Sequence, residues 1–103
     1  MAEIKFSPEA LSDLKEIKGY IEEELLTRQA AENTVAEIFK HIRLLSVMPQ
    51  SGAPLSSMVE IENNYRFIVC GSYTVFYRYE NDTVFILRIL YGRRDFMRIL
   101  FGE

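Results

Sequence analysis

Cysteine, histidine and tryptophan are almost missing from this sequence, which has one cysteine, one histidine and no tryptophan. A single cysteine, Cys70, cannot form an internal disulfide, and this favours a reducing compartment. One histidine, His41, and one cysteine are too few for the clusters that hold structural zinc. We therefore predict neither a metal site nor a cofactor.

Long hydrophobic runs are missing as well. No apolar stretch approaches the roughly 20 residues that cross a bilayer. The opening segment, MAEIKFSPEA, lacks the basic stretch followed by an apolar run that is typical of a secretory signal. We therefore expect a cytoplasmic protein without a membrane partner. With 103 residues, of which 49 % are hydrophobic and 26 % charged, the chain should form one domain over residues 1–103.

Positive charge is scarce and unevenly placed, and the net charge is −3. Residues 1–63 carry eleven acids and six bases, whereas residues 64–103 carry four acids and six bases, all of them arginine. Proteins that bind nucleic acid broadly are usually basic, so the acidic balance argues against that class. A local arginine patch would still be able to hold a phosphate or a carboxylate.

The first half of the chain has a short strand pattern and two helical patterns. AEIKF alternates as a half-buried strand over residues 2–6, and Ser7-Pro8-Glu9 is a typical helix start. An apolar stripe predicts a helix over about 8–26, formed by Ala10, Leu14, Ile17, Ile21 and Leu25. Thr27 offers a second cap, and a second stripe continues to about residue 47, formed by Ala31, Val35, Ile38, Ile42 and Leu45. The two helices should form an antiparallel hairpin.

The second half changes from a period of 3.6 to a period of two at about residue 64. Before that change, MPQSGAPLSS predicts a loop over 48–57. YRFIVC and YTVFYRY flank Gly71-Ser72, which favours a type II′ hairpin with 70 paired to 73. A turn at 80–82 leads to TVFILRILY, with 80 paired to 83. Residues 95–103 fit either a short helix capped by Asp95 or an extended tail.

The alternation of side chains along these three predicted strands indicates a sheet with two apolar faces. The face towards the helices is expected to hold Ile68, Val75, Tyr77, Ile86, Arg88 and Leu90. The second sheet face is expected to hold Phe67, Val69, Thr74, Phe76, Arg78, Phe85, Leu87, Ile89 and Tyr91. The helical hairpin can cover only one face, and small monomers rarely expose several hundred Å² of contiguous apolar surface. The C-terminal segment, a partner chain or both should therefore cover the second sheet face.

Arg88 is predicted to point towards the helices, and a buried arginine needs a partner. Asp13 or Glu16 on the first helix would supply the carboxylate. His41 lies just off an apolar stripe and is interpreted as a boundary residue. Cys70 is interpreted as a small strand residue, because nothing pairs it with a histidine as a nucleophile would require.

The chain as a whole resembles the RelE/ParE superfamily of bacterial toxins. The resemblance rests on the order of the elements, on the segments SPEALSDLKEIKGYI and PQSG, and on strand residues further along. Those residues are Tyr73, Phe76, Tyr77 and Arg78, Ile86-Leu87-Arg88-Ile89-Leu90, and Gly92-Arg93-Arg94-Asp95. The resemblance implies an α+β fold of order β-α-α-β-β-β, with a helical hairpin packed on one face of an antiparallel sheet.

The resemblance also implies a cytoplasmic toxin of a two-gene toxin–antitoxin pair, of the kind linked to plasmid stabilisation, which a cognate antitoxin neutralises. ParE-like members inhibit DNA gyrase, and RelE-like members cut messenger RNA on the ribosome. RNA-cutting members have an arginine in the middle strand and a tyrosine or histidine near the end of the last strand, and many relatives have histidine there. This sequence has Thr74 and Tyr91 at those positions, which favours the ParE-like branch. RNA cleavage stays open as an alternative, as does a non-toxic binding relative, so the sequence leaves open whether the chain is an enzyme.

These hypotheses give three sets of candidate site residues. RNA cleavage would use Tyr91, Arg93, Arg94 and Arg66, with the arginines holding phosphate. Binding of a protein target would use Tyr91, Arg93, Arg94 and Asp95, because aromatic and arginine side chains at an exposed edge are typical of interface hot spots. Antitoxin would dock on Phe67, Phe76, Phe85 and Leu87 of the second sheet face.

Overall fold

The structure, a computed structural model, describes residues 1–24, 27–60, 63–92 and 95–102. Its elements are β1 (Glu3–Phe6), α1 (Pro8–Glu24), α2 (Arg28–Leu44), β2 (Ala53–Pro54), a 3-10 turn (Leu55–Ser57), β3 (Tyr65–Cys70), β4 (Tyr73–Glu80), β5 (Thr83–Tyr91) and α3 (Phe96–Phe101). The strands form one sheet in the order β1-β5-β4-β3-β2. The predicted α+β class is confirmed.

Two features of the sheet differ from the sequence prediction. β1 pairs with β5 in parallel, so the sheet is mixed rather than antiparallel. The segment predicted as a loop over 48–57 contains β2, which pairs with β3. β2 has only two residues, since Pro54 has no amide hydrogen for a longer ladder.

Both predicted helix caps are present. Ser7 Oγ accepts a hydrogen bond of 2.9 Å from the Ala10 amide and donates one of 2.8 Å to the carbonyl oxygen of Leu87. The cap of α1 therefore also ties the helix to β5. Thr27 Oγ1 caps α2 by accepting from the Ala30 amide at 2.9 Å.

The two hairpin turns have the geometry that the sequence predicts. Cys70 pairs with Tyr73 across Gly71-Ser72, and Gly71 has φ +62°, as the first position of a type II′ turn requires. Glu80 pairs with Thr83 across two residues of positive φ, Asn81 at 51° and Asp82 at 57°. That pair of conformations fits a type I′ turn, which matches the twist of the flanking strands.

A β-bulge in β5 changes the predicted faces. Tyr77 pairs with Ile86 and Phe76 pairs with Arg88, so Leu87 is an extra residue in the ladder. Beyond the bulge, Ile89 joins the helix-side core and Leu90 joins the second sheet face. Tyr91 pairs with Tyr73, which packs on the helix-side core. The predicted faces of Ile89, Leu90 and Tyr91 were therefore wrong, because one extra residue reverses every later side chain.

The C-terminal segment covers much of the second sheet face. The Phe96 ring at the start of α3 stacks on Phe76 with centroids 5.6 Å apart, and Phe101 stacks on Tyr65 at 5.5 Å. Phe76 is 0 % exposed and Phe67 is 9 % exposed. This resolves the open alternative for residues 95–102 in favour of a short helix, because extended chain would leave these rings in water.

Candidate functional site

A cleft of about 670 Å³ lies between α1 and the end of the sheet at which β5 finishes. We call it the tyrosine cleft. Its described lining residues are Asp13, Glu16, Ile17, Tyr20, Tyr73, Arg88, Ile89, Leu90, Tyr91 and Ile99. Its volume falls within the roughly 300–1,000 Å³ of typical ligand sites. Tyr91, which the sequence analysis predicts to bind a protein target, forms one wall of this cleft.

One face of α1 supplies the acidic wall of the tyrosine cleft. Asp13, Glu16 and Tyr20 follow one another at helical spacings of three and four, so they point the same way. Tyr20 is 62 % exposed although it is a large aromatic side chain. Sequence reasoning missed Tyr20, because it stands beside the apolar stripe rather than in it. Its spacing from the two acids was the available signal.

The base of the cleft is an ion pair between Arg88 and Asp13. Arg88 Nε donates to Asp13 Oδ2 and Arg88 Nη2 donates to Asp13 Oδ1, each at 2.8 Å. This hydrogen bonding raises the pKa of the Arg88 guanidinium, and the nearby carboxylates of Glu9 and Glu16 raise it further. The predicted partner is confirmed. The side chain of Arg88 is 27 % exposed, so it is mostly buried, as predicted, and its exposed part borders the cleft.

Tyr73 and Tyr91 form the opposite wall. Their rings meet edge to face, with centroids 5.7 Å apart and planes at 80°. Burial raises the pKa of the Tyr73 hydroxyl, with smaller contributions from Tyr91 and Tyr20. Tyr91 is 59 % exposed, and just after it the Gly92 amide donates to the Ser72 carbonyl at 2.7 Å. The end of β5 is thus held in place while the Tyr91 ring stays accessible.

Arg66, a candidate phosphate-binding residue in the RNA-cleavage interpretation, lies elsewhere. It pairs with Tyr77 in the sheet, four residues along β4 from Tyr73, and its Nη1 donates to the carbonyl oxygens of Gln50 at 3.2 Å and Gly52 at 2.7 Å. The buried Tyr77 hydroxyl fixes the same loop from inside: it donates to Pro49 O and accepts from the Gly52 amide. Arg66 therefore holds the 49–52 loop and is not brought together with Tyr91.

The remaining target-binding candidates follow Tyr91. Arg93 and Arg94 lie outside the described residues. Asp95 occupies the N-cap position of α3 with φ 49°, but its side chain makes no capping bond. Instead it forms an ion pair with Arg98.

The four candidate antitoxin-binding residues divide into two pairs. Phe67 and Phe76 are buried beneath α3 and the 55–59 segment. Phe85 and Leu87 are half-buried. The guanidinium carbon of Arg78 lies 4.7 Å above the Phe85 ring, and Arg78 Nη1 is 2.9 Å from Glu80 Oε1. The part of the predicted surface that a partner reaches without moving α3 is therefore Phe85 and Leu87.

His41 and Cys70 do not contribute to the tyrosine cleft. His41 Nδ1 lies 2.8 Å from the Glu37 carbonyl oxygen, one turn back on α2. Burial, with a smaller contribution from the Glu37 carboxylate, raises the pKa of the Cys70 thiol to about 11. Within the described ranges, no cluster of His, Cys, Asp or Glu is placed to hold a metal ion, and no helix is long and apolar enough to span a membrane.

The charge pattern of this half of the molecule limits its chemistry. Every arginine described in 63–92 and 95–102 is engaged within the protein: Arg66 with loop carbonyls, Arg78 with Glu80, Arg88 with Asp13 and Arg98 with Asp95. An arginine already matched by a carboxylate gives little attraction to a phosphate. Arg78, Arg88 and Arg98 are thus matched by carboxylates, whereas Arg66 is held by neutral carbonyl oxygens.

Comparisons with known proteins agree with this architecture. A family model described as the ParE toxin of the type II toxin–antitoxin system, parDE, matches residues 4–96. A chain of the chromosomal ParDE toxin–antitoxin system from P. aeruginosa has a similar structure, with a TM-score of 0.74 and 21 % identity over 89 % of this chain and 97 % of that chain. A chain of the RelB-RelE antitoxin-toxin complex from Methanococcus jannaschii gives a TM-score of 0.51 and 18 % identity, over 93 % and 96 %. At these identities the two structures establish the fold alone. No curated protein sequence gives a significant match.

Proposed function

This chain belongs to the ParE toxin family of type II toxin–antitoxin systems, and from that premise we propose that it arrests growth by binding a protein target. DNA gyrase is the target that the ParE-like resemblance implies. A cognate antitoxin, made with the toxin in the cytoplasm, neutralises it. A system of this kind would stabilise a plasmid or chromosomal segment that carries both genes.

The observation that carries this proposal is the internal pairing of the described arginines. Cleavage of RNA needs cations that face a phosphate, together with a base for the attacking hydroxyl. Arg88 and Arg98 are matched by carboxylates, and the acid-rich α1 faces Tyr91, one of the candidate catalytic residues. This arrangement repels an RNA backbone and is compatible with a protein surface.

We assign target binding to the edge at Tyr91, together with Arg93, Arg94 and Asp95, which follow it in the sequence. Tyr91 is exposed, and tyrosine and arginine are enriched among interface hot spots. We assign antitoxin docking to the second sheet face, beginning at Phe85 and Leu87, which stay half-accessible. Contact with Phe67 and Phe76 would require α3 to move, since α3 covers both.

Controlled expression in a bacterial host tests the proposed function. We expect growth arrest that begins with filamentation and a DNA-damage response, while incorporation of labelled amino acid continues. The double variant Arg93→Ala with Arg94→Ala should abolish arrest and still bind antitoxin. The matched control is Arg43→Ala, on the exposed end of α2, which should stay toxic.

The opposite order of events would contradict the proposal. If labelled amino acid incorporation stops first and messenger RNA is cut, the chain is a ribosome-dependent endoribonuclease. If expression causes no arrest while antitoxin still binds, the chain is a non-toxic binding relative. If the double arginine variant stays fully toxic, the target-binding edge has been placed wrongly.

A further inference from the structure

We propose that the tyrosine cleft receives an arginine side chain of the antitoxin. This inference rests on the proposed function, because it names the antitoxin as the occupant. It adds a second contact region, on the α1 side of the molecule, to the docking on the second sheet face.

The charge of the tyrosine cleft selects a cation. Its described lining residues carry two carboxylates, Asp13 and Glu16, and one guanidinium, Arg88. Asp13 neutralises Arg88 through two hydrogen bonds. Glu16 makes no ion pair among the described residues, and it is close enough to Arg88 to raise the pKa of the guanidinium. One carboxylate is thus left without a partner, and an incoming cation would complete the pairing.

The walls of the cleft select a flat cation with an apolar stem. Tyr20 is 62 % exposed and Tyr91 is 59 % exposed, so both offer ring surface, while Tyr73 supports Tyr91 from the side. A guanidinium stacks on tyrosine rings and is attracted by their π faces. Ile17 and Leu90 also line the cleft, and they suit the methylene groups of an arginine side chain.

The arrangement of charges in the cleft disfavours an anionic ligand. The guanidinium that would attract an anion is already held by Asp13 in a bidentate pair. A carboxylate or phosphate entering the cleft would meet Glu16, and the one cation among the described lining residues, Arg88, is already paired with Asp13. Like charges placed together in an interface cost binding free energy and reject such partners.

The position of the cleft indicates which partner fills it. Tyr91 lines the cleft and also belongs to the edge that we assign to target binding. An antitoxin that neutralises the toxin must mask this edge, so its chain would pass over the opening of the cleft. A basic side chain on that segment would enter between Tyr20 and Tyr91. The same antitoxin segment would then cover the target-binding edge and anchor the antitoxin in the cleft.

Titration of the purified chain with Nα-acetyl-arginine-methylamide, followed by NMR, tests the chemistry of the cleft. We expect the ring resonances of Tyr20, Tyr73 and Tyr91 to shift together, with a dissociation constant in the millimolar range. The citrulline analogue has the same shape without charge, and it should bind about tenfold more weakly, as expected for loss of an ion pair and a cation–π contact. Equal binding of the two analogues would overturn the proposal.

Glu16→Gln tests the carboxylate with little change in shape. We expect it to weaken arginine binding severalfold, whereas Glu32→Gln, at an exposed position on α2, should leave it unchanged. Circular dichroism of both variants should match that of the unchanged chain. If Glu16→Gln binds arginine as well as the unchanged chain does, the assigned role of Glu16 is wrong.

The complex with antitoxin identifies the occupant. Once antitoxin is bound, the arginine probe should no longer shift the ring resonances, and Glu16→Lys should lower antitoxin affinity about tenfold, within the range for charge pairs at interfaces. Undiminished probe binding to the complex would overturn the assignment to antitoxin. If the proposed function is wrong, the result differs: expression causes no growth arrest and no complex with antitoxin forms. The arginine probe, titrated into the chain alone, still measures whether the cleft binds an arginine side chain.

Discussion

Asp13 on α1 and Arg88 on β5 are joined by two hydrogen bonds of 2.8 Å, directly beside the bulge at Leu87. The same carboxylate accepts a third hydrogen bond, of 2.9 Å, from the backbone amide of Ile89. Asp13 thus accepts hydrogen bonds from the Arg88 guanidinium and from the Ile89 backbone amide, which would otherwise lack these partners beside the bulge. One helix residue therefore stabilises the bulge and shapes the base of the tyrosine cleft.

Asp13→Ala should destabilise the protein by about 3 kcal/mol, because removing one member of a mostly buried pair leaves the other charge uncompensated. Urea unfolding monitored by circular dichroism would measure the loss. Ser12→Ala, on the exposed side of α1, is the control and should change stability little. Arg88→Met in the Asp13→Ala background should recover part of the loss. A loss below about 1 kcal/mol for Asp13→Ala would show that the pair is not structural.

Gly52→Ala and Gly19→Ala should change stability in opposite directions. A Cβ at Gly52 would lie 2.5 Å from the Tyr77 hydroxyl oxygen and 2.8 Å from the Phe67 carbonyl oxygen, so we expect a loss of about 2–3 kcal/mol from overpacking. A Cβ at Gly19, within α1, meets no atom within 4 Å. Helix propensity should then raise the free energy of unfolding by about 0.5–1 kcal/mol. Thermal unfolding of the two variants would give the comparison, and equal effects would contradict the packing of the 49–52 loop.

Cys70 should resist thiol reagents near neutral pH. Its pKa is raised to about 11, so at pH 8 about one thiol in a thousand is the reactive thiolate. Reaction with a thiol-specific dye should be slow at pH 8, speed up as the pH approaches 11, and be fast in denaturant. Because folding favours the neutral thiol, its stabilising contribution is complete below about pH 8.5 and is lost as the pH rises towards 11. Rapid labelling of the folded chain at pH 8 would contradict the burial of Cys70.

Leu87→Asp should weaken antitoxin binding by at least tenfold while the chain still folds, since Leu87 is half-buried and a charge placed in an apolar interface is costly. Isothermal titration of the antitoxin would measure the change. Phe76→Asp is unsuitable for the same test, because Phe76 is fully buried and its loss should unfold the protein. Thr83→Asp, at the other end of β5, is the control. Unchanged affinity for Leu87→Asp would remove this residue from the docking surface.

The hairpins were predictable because short sequences determine them. Gly71-Ser72 and Asn81-Asp82 place residues that tolerate positive φ between two runs of alternating side chains, which sets both turn type and register. The caps at Ser7 and Thr27 were predictable for the same local reason, since each hydroxyl bonds an amide three residues later.

The bulge and the tyrosine cleft were not predictable in this way. ILRILY in β5 has apolar residues at nearly every position, so its alternation carries no signal of an extra residue, and the predicted faces of Ile89 to Tyr91 were reversed. The cleft depends on Tyr20 and Tyr91, which are 71 residues apart in the sequence and meet only through the packing of α1 on the sheet. The Arg88 partner was still predicted correctly, because Arg88 points towards α1 as expected, and a mostly buried arginine requires a nearby carboxylate.

The parallel pairing of β1 with β5 has a consequence for the order of folding. Glu3 lies opposite Thr83, so β1 cannot pair until β5 has been synthesised, eighty residues later. The helical hairpin and the β3–β4 hairpin depend on nearby residues and can form early, whereas pairing of β1 closes a long loop and should come late. A chain in the course of synthesis would therefore hold an unpaired strand edge on β1 until β5 is complete, and during that interval it is open to aggregation or to capture by another protein.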